Sequence, residues 1–406
     1  MHDNTLANAL QAAGAEVSLI PTYTPIRVDE KTESEKAVYL GGVNLYLESR
    51  SRIWRAMPGV MKRWLDKPWA INLATRFGVS NNAKKLGELT IDMLQGEAGS
   101  LRGAIEELAE HLVALKPDVI CFSNALLSGA VRTIKERVAV PVFCMLQGDD
   151  IFLNDLPTEF RERAIQSVSE KSNLFDGYLV HSQYYREFMS EYLRLPVKKF
   201  HQVPLGIDFS GHDGLPKPRG EIFTVGYFAR ICPEKGLHNL IEGFRIFHQE
   251  HPNTQLKAGG SLTKKDAKYF KQTMAAARDL ETAFEYIGSP ETHANKVTFL
   301  KSLDVLSVPT SYREPKGIYV LEALANGVPV VQPRHGSFPE MIEATQGGLL
   351  VEPENPAELA KAFSKLYRDA ELCKILAASG HKNARKNYGP ETMAEATLNA
   401  LRSVLE

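Results

Sequence analysis

The 406-residue chain lacks an excess of charge of either sign: 48 basic residues stand against 49 acidic ones, a formal net charge of −1. A dedicated nucleic-acid binder would carry a basic surplus over a wide surface, so that class is not expected. Any anion the protein holds must be held by a few local residues. Cysteine is scarce: Cys121, Cys144, Cys232 and Cys373 lie far apart with no CxxC spacing. Neither a zinc site nor a disulfide framework is indicated, and buried reduced thiols in a cytoplasmic protein are expected. Apolar runs are short, with nothing near the roughly 20 residues that cross a bilayer. The opening "MHDNTLANALQAAGAEVSLI" lacks the basic then apolar layout of a secretory leader. Asp-x-Asp, the simplest carboxylate pair for holding a metal against phosphates, is absent, and no metal site is expected. GxGxxG and the P-loop pattern are missing too, which points away from a dehydrogenase or a kinase. The histidines show no triad or metal-ligand spacing, and His335 in "PRHGSFPE" reads as a turn residue.

What is present is ordinary globular material, 44% hydrophobic and 24% charged. At about 150 residues per domain the length suggests two or three domains, and two is the starting expectation. Short apolar or β-branched runs alternate with helical periodicity: "VSLIP" 17–21, "VICF" 119–122, "PVFCML" 141–146, "YLVH" 178–181 and "FHQVP" 200–204, with helices such as 101–115 and 185–195 between them. That alternation predicts βα units around a parallel sheet. "DFSGHDGLPKPRGE", 208–221, is dense in Gly and Pro without periodicity and reads as a linker. Alternation restarts with "FTVGYFA" 223–229, "QLKAG" 255–259, "FEYI" 284–287, "DVLSV" 304–308, "VPVVQ" 328–332 and "LLVEP" 349–353. The expectation is an α/β protein of two Rossmann-like, doubly wound domains, 1–208 and 209–390, facing a cleft, with ligands outside the carboxyl ends of the strands.

Two stretches depart from that scheme. Residues 28–100 hold no convincing strand, and "RSRIWRAMPGVMKRWLDKPW", 50–69, gathers all three tryptophans among basic residues. It reads either as a surface for an anionic membrane or lipid-linked acceptor, which would place the protein peripherally at the inner membrane face, or as a helical insertion with tryptophans inward. At the start, "DNTLANALQAAG" predicts a helix with Asp3 as N-cap and Gly14 as stop, leading straight into "VSLIP". A doubly wound domain ordinarily opens with a strand and a tight turn, so the first strand of the N-terminal domain is apparently missing.

The chemistry concentrates in "SYREPKGIYVLEALANGVPVVQ", 311–332, where Glu314 and Glu322 flank a helix start. The first N–H groups of a helix have no intrahelical partner and carry partial positive charge, so Gly317, Ile318 and Tyr319 open an end suited to phosphate. Glu314 lies just ahead of it, and Glu322 lies about 7 to 8 Å further on at about 1.5 Å per residue. Carboxylate, phosphate, carboxylate matches a sugar nucleotide laid along a helix start. Each glutamate alone also reads as a solvated helix charge, but Glu322 between Leu321 and Ala323 needs a partner if buried. Positive charge for a diphosphate is available in "GYFARICPEKG", from Arg230 and Lys235, whose alternative is surface salt bridging. Gly226, which opens that block, and Ile287, which ends "FEYI", are placed on the donor side with Lys316. Gly259 and Gly260 permit close approach by ligand or backbone, or simply turn the chain. Gln147, Asp149 and Asp150 end a first-domain strand as candidates for an acceptor hydroxyl or the donor sugar, with capping as the alternative.

These blocks resemble a known family. "EPKGIYVLE" is similar to the Glu-x7-Glu signature of retaining glycosyltransferases with the GT-B fold, in the very large family four. "VGYFARICPEKG", "PLGID", "SVPTSYREPKG", "EALANGVPVV" and "HGSFPEMI" with "GGLLVEP" are similar to the family's other blocks, over residues 105–405. The resemblance implies transfer of a sugar from a nucleotide-sugar donor to a hydroxyl acceptor with retention, with neither cofactor nor metal. Arg230 and Lys235 would contact the donor diphosphate, Glu314 the sugar, Glu322 the ribose, and the backbone of Gly317 to Tyr319 the sugar and phosphates. The last helix, 391–406, would return to the first domain. Three departures stand out: Lys316 where the family commonly has Phe, "QGDD" where a His is frequent, and no strand with a Gly-rich loop before Met1. The last leads to the expectation that the true start lies upstream or that another element fills the gap. A non-catalytic sugar-nucleotide binder, and an epimerase or phosphorylase on the same fold, remain open alternatives.

Overall fold

The computed structural model describes residues 2–22, 39, 83–214 and 220–405, which divide into two compact units, 1–203 with 394–406 and 204–393. The basic and aromatic stretch 50–69, the part of 28–100 before residue 83 other than Tyr39, and residues 215–219 lie outside the described residues. The helix Pro390–Leu405 passes from the second unit into the first at Ala394.

In the first unit β1 Ile120–Phe122, β2 Val142–Met145, β3 Gly177–Val180 and β4 Phe200–Gln202 form a parallel sheet in sequence order. Every residue of β2 and β3 is buried. A parallel strand covered on both faces has no polar side, which is why these strands show as continuous apolar runs. The helices Val131–Val138, Thr158–Glu170 and Gln183–Tyr192 supply the crossovers that parallel neighbours require. Ser182 starts the last of them by accepting from Tyr185 N–H.

Two local expectations change. The stretch 17–21 joins no strand of the sheet among the described residues; instead Thr22 makes an isolated bridge to Tyr39, whose N–H donates to Pro21 O. An apolar run becomes a strand only where a neighbour offers its ladder groups, and 17–21 borders residues outside the description. The N-terminal helix forms as His2–Ala12, so Asp3 lies inside its first turn and does not cap it. Its carboxylate instead accepts from Gln147 Nε2 at 2.9 Å.

The second unit carries a six-stranded parallel sheet of β5 Phe223–Phe228, β6 Thr254–Gly259, β7 Phe284–Tyr286, β8 Val305–Leu306, β9 Val330–Pro333 and β10 Gly348–Val351. Their spatial order is β10-β9-β8-β5-β6-β7. The chain winds outward from β5 to β7, returns to the middle, and winds the other way from β8 to β10. In doubly wound sheets ligands bind beyond the carboxyl ends of the strands at such a reversal, which here falls between β5 and β8. Val225, Tyr227, Leu240, Phe244, Leu256, Leu306, Leu324 and Phe363 are fully buried around the sheet. Each such apolar side chain contributes about 1.5–3 kcal/mol relative to exposure, enough to hold the two loops that meet at the reversal.

Candidate active site

Two loops leave the middle of the second sheet at its reversal. The one after β5 carries Arg230, a turn Pro233–Lys235, and Gly236 in the left-handed region at φ +70°, from which the helix Leu237–Glu250 starts. A side chain at Gly236 would place Cβ 1.9 Å from Pro309 O, so this loop is fitted against the one after β8. Ser311 N–H donates to Glu234 O at 3.0 Å, joining the two backbones directly.

The loop after β8 delivers Glu314, which is only 4% exposed. Its Oε2 accepts from Lys235 Nζ at 2.5 Å, from Tyr312 OH at 2.6 Å and from Tyr319 OH at 3.1 Å. Lys235 Nζ also donates to Tyr312 OH at 2.7 Å and lies 5.0 and 5.1 Å from the Tyr312 and Tyr319 ring centres, within cation–π range. Burial alone would push the Glu314 pKa up; the Lys235 ammonium, the Tyr312 hydroxyl and the backbone N–H of Lys316 more than offset it and hold it below the usual carboxylate value. Burial and the adjacent Glu314 charge push the Tyr312 and Tyr319 phenols up, so both hydroxyls keep their protons and serve as donors.

Glu314 is also fixed through its backbone. Ser337 N–H donates to Glu314 O at 2.8 Å, and Gly336, at φ +61°, passes so close that a Cβ would meet Glu314 O at 2.5 Å and N at 2.6 Å. His335, expected as a turn residue, has its Nε2 2.9 Å from Thr310 O.

Gly317 sits in the left-handed region at φ +62° and precedes the helix Ile318–Ala325. Val320 N–H turns back to Gly317 O at 2.9 Å, and the N–H groups of Ile318 and Tyr319 open the helix without an intrahelical acceptor. The half-buried Lys316 presents its backbone N–H to Glu314 Oε1 at 3.4 Å. Glu322, 4% exposed, has the partner its burial demanded: Lys296 Nζ, on the helix His293–Lys301, donates to Oε1 at 2.7 Å. Arg230 is exposed and donates from Nε to Cys232 Sγ at 3.3 Å, leaving its terminal nitrogens without a hydrogen-bond partner among the described residues.

The remaining donor-side positions are structural neighbours of this cluster. Gly260, at φ +143°, would put a Cβ 1.7 Å from Ala229 O, so backbone approach explains it. Gly259 lies against Phe228 and Ile287, and Ile287 is 37% exposed at the end of β7. Gly226 is buried inside β5, where a Cβ would come within 2.1 Å of Leu303 Cδ1; its missing side chain serves packing between strand and neighbour.

In the first unit, Gln147, Asp149 and Asp150 follow β2 as expected, with largely internal bonds. Asp149 accepts from Ala125 N–H at 2.6 Å and Gln147 N–H at 3.1 Å. Burial raises its pKa to about 6 against the pull of those N–H groups. Asp150 accepts from Tyr185 OH at 2.6 Å, and that hydroxyl in turn accepts from Gly148 N–H at 2.8 Å. Gln147 donates to Asp3 and to Ser123 O. His181, at the end of β3, has its Nδ1 3.1 Å from Val203 O and its ring edge-on to His2.

Residues 215–383 match the family described as glycosyl transferases group 1. That match lies within the second unit. The chain is 26% identical over 200 residues to an uncharacterized glycosyltransferase of Methanocaldococcus jannaschii, the match covering 49% of each chain. It spans about half the length of the curated relatives it matches. In fold it is similar to HepE of Anabaena, solved in complex with UDP, with a TM-score of 0.66, 20% identity, and coverage of 76% of this chain and 84% of that one. Sucrose-phosphate synthase of Thermosynechococcus elongatus gives a TM-score of 0.69 at 16% identity, covering 98% of this chain and 92% of that one. The fold is GT-B-like, with two parallel sheets of four and six strands.

The structure joins Lys235 to Glu314 and adds two side chains that sequence reading passed over. Tyr312 carried a signal, a phenol two residues before the glutamate. Lys296 carried none, because one lysine in a helix of mixed polarity looks like a solvated charge until its partner is known.

Proposed function

We propose that this protein is a retaining glycosyltransferase that moves a sugar from a nucleotide-sugar donor to a hydroxyl acceptor. The observation that carries the reading is the buried Lys235–Glu314 pair, with the Tyr312 and Tyr319 hydroxyls, at the reversal of the second sheet. A buried ion pair contributes little net stability over apolar residues of the same volume, so function is the better reason for placing one at a ligand-binding crevice.

Lys235 and the free end of Arg230 take the donor diphosphate, aided by the N–H groups that open the Ile318–Ala325 helix. Glu314 accepts from hydroxyls of the transferred sugar, and Glu322 from the ribose. The bond from the anomeric carbon to the diphosphate oxygen breaks as the acceptor oxygen bonds to the same carbon from the same face. The acceptor's proton passes to a phosphate oxygen of the departing diphosphate. With two cations meeting the charge that develops there, no added divalent metal is required. The acceptor side is assigned to the first unit, with Gln147 as its strand-end amide and Asp149 and Asp150 as supports of that loop.

HepE, similar in fold, is solved with UDP and with UDP-glucose, which makes nucleoside-diphosphate sugars the donors to try first. Donor turnover is measured with UDP- and GDP-sugars, with and without a chelator, for the natural protein and for Lys235→Ala and Glu314→Ala. Each variant loses at least about 10²-fold in rate, and the chelator leaves the natural rate unchanged. Equal rates in all three proteins would sink the assignment.

A further inference from the structure

Glu322 meets a cation supplied by another helix. Lys296 Nζ donates to Glu322 Oε1 at 2.7 Å, and the two side chains are 15% and 5% exposed. The pair ties His293–Lys301 to the helix Ile318–Ala325. Thr292 fixes the start of the lysine's helix by accepting from Asn295 N–H. At the end of that helix Asn326 Nδ2 donates to His212 Nδ1 at 2.7 Å and to the backbone carbonyl Glu322 O at 2.9 Å. Burial, with the neighbouring His293 and Lys296 charges, lowers the His212 pKa to about 4. Its Nδ1 accepts from Asn326, which ties His212 to the end of this helix. Oε2 of Glu322 accepts no hydrogen bond among the described residues, while Oε1 is taken by Lys296.

We infer that Lys296 is a positioning residue that holds the Glu322 carboxylate in one orientation, with Oε2 presented to the ribose hydroxyls of the donor nucleotide. The inference rests on the proposed function, since it needs a ribonucleotide in this site. Without Lys296 the carboxylate loses the hydrogen bond that fixes Oε1, and with it the direction of Oε2. Losing Lys296 therefore reduces recognition of ribose and leaves recognition of the diphosphate in place.

Calorimetric titration of the full chain with UDP, GDP and ADP, each beside its 2′,3′-dideoxy counterpart, separates these effects. The natural protein prefers the ribose form of the nucleotide it binds. Lys296→Met lowers affinity for that form on the order of 10-fold and leaves the dideoxy form unchanged, which also shows that the variant folds. Lys296→Arg restores the preference, and Lys296→Met adds nothing in a Glu322→Gln background. Equal weakening of both forms, or full ribose preference in Lys296→Met, overturns the inference. Binding without ribose preference in the natural protein also overturns it while leaving the proposed function standing. No binding of any of the nucleotides removes both.

Discussion

Glu314 shows how one buried carboxylate is kept charged: three donors converge on a single oxygen, from Lys235, Tyr312 and Tyr319. Burial opposes ionisation and these donors outweigh it, so removing one of them raises the Glu314 pKa toward the value burial alone would give. Tyr312→Phe deletes a hydroxyl that donates to Glu314 and accepts from Lys235, and keeps the ring under the ammonium. Because Glu314 must be ionised to accept from sugar hydroxyls, the acid limb of kcat/KM against pH moves to higher pH in this variant. Stability follows the same sign. A depressed carboxylate pKa stabilises the fold above the unfolded value and loses that contribution as pH falls through the folded one. Tyr312→Phe therefore begins acid unfolding at higher pH than the natural protein, as followed by circular dichroism. An unmoved acid limb would show that the Tyr312 hydroxyl does not tune Glu314. At this scale the sequence was legible where charge type met position: Lys235 and Glu314 pair, and Glu322 has the partner its apolar neighbours demanded. Asp3 was misread because an aspartate near a helix start looks like a cap, and only the fold could bring Gln147 within 2.9 Å of it.

Among the elements, the loops after β5, β8 and β9 matter more to the site than the strands that launch them. Strands were legible because apolar runs between helical stretches have few other uses in a doubly wound sheet, and β6, expected at 255–259, forms as Thr254–Gly259. The loops were not, since their shape depends on backbones approaching from other parts of the chain. Gly336 is such a case: it lies at φ +61°, and a Cβ would sit 2.5 Å from Glu314 O and 2.6 Å from Glu314 N. Both atoms are backbone and cannot rotate away, so Gly336→Ala must displace the segment that carries Glu314. Gly14 offers a control, with φ +90° but nothing within 4 Å of an added Cβ. Gly14→Ala bears only the left-handed strain, about 1–3 kcal/mol. Gly336→Ala bears that strain and the steric displacement, so its urea midpoint falls further and its donor turnover drops while that of Gly14→Ala does not. Matching turnover in the two variants would mean that the 335–337 loop does not set the position of Glu314.

At the scale of the whole molecule, division into two α/β units was legible because the alternation stops in a Gly- and Pro-rich stretch and starts again. The order β10-β9-β8-β5-β6-β7 was not, because strand order depends on which way each crossover turns. That order places the loops bearing Lys235 and Glu314 side by side, from strands far apart in sequence but adjacent in the sheet. All the donor groups assigned here, Arg230, Lys235, Glu314, Gly317 and Glu322, belong to the unit 204–393. A nucleoside diphosphate should therefore slow local opening in that unit first. At 100 times its dissociation constant a ligand bound only by the folded state stabilises it by about 2.7 kcal/mol, roughly a hundredfold slowing of exchange for amides that open only when the site is lost. Hydrogen exchange read by mass spectrometry on the full chain tests this with UDP and GDP. Protection is expected in peptides covering 230–240, 293–301 and 312–326, and not in those covering 147–170, whose contacts a nucleotide alone does not complete. Protection confined to the first unit would place the nucleotide elsewhere and overturn the assignment of the donor site to the Lys235–Glu314 cluster.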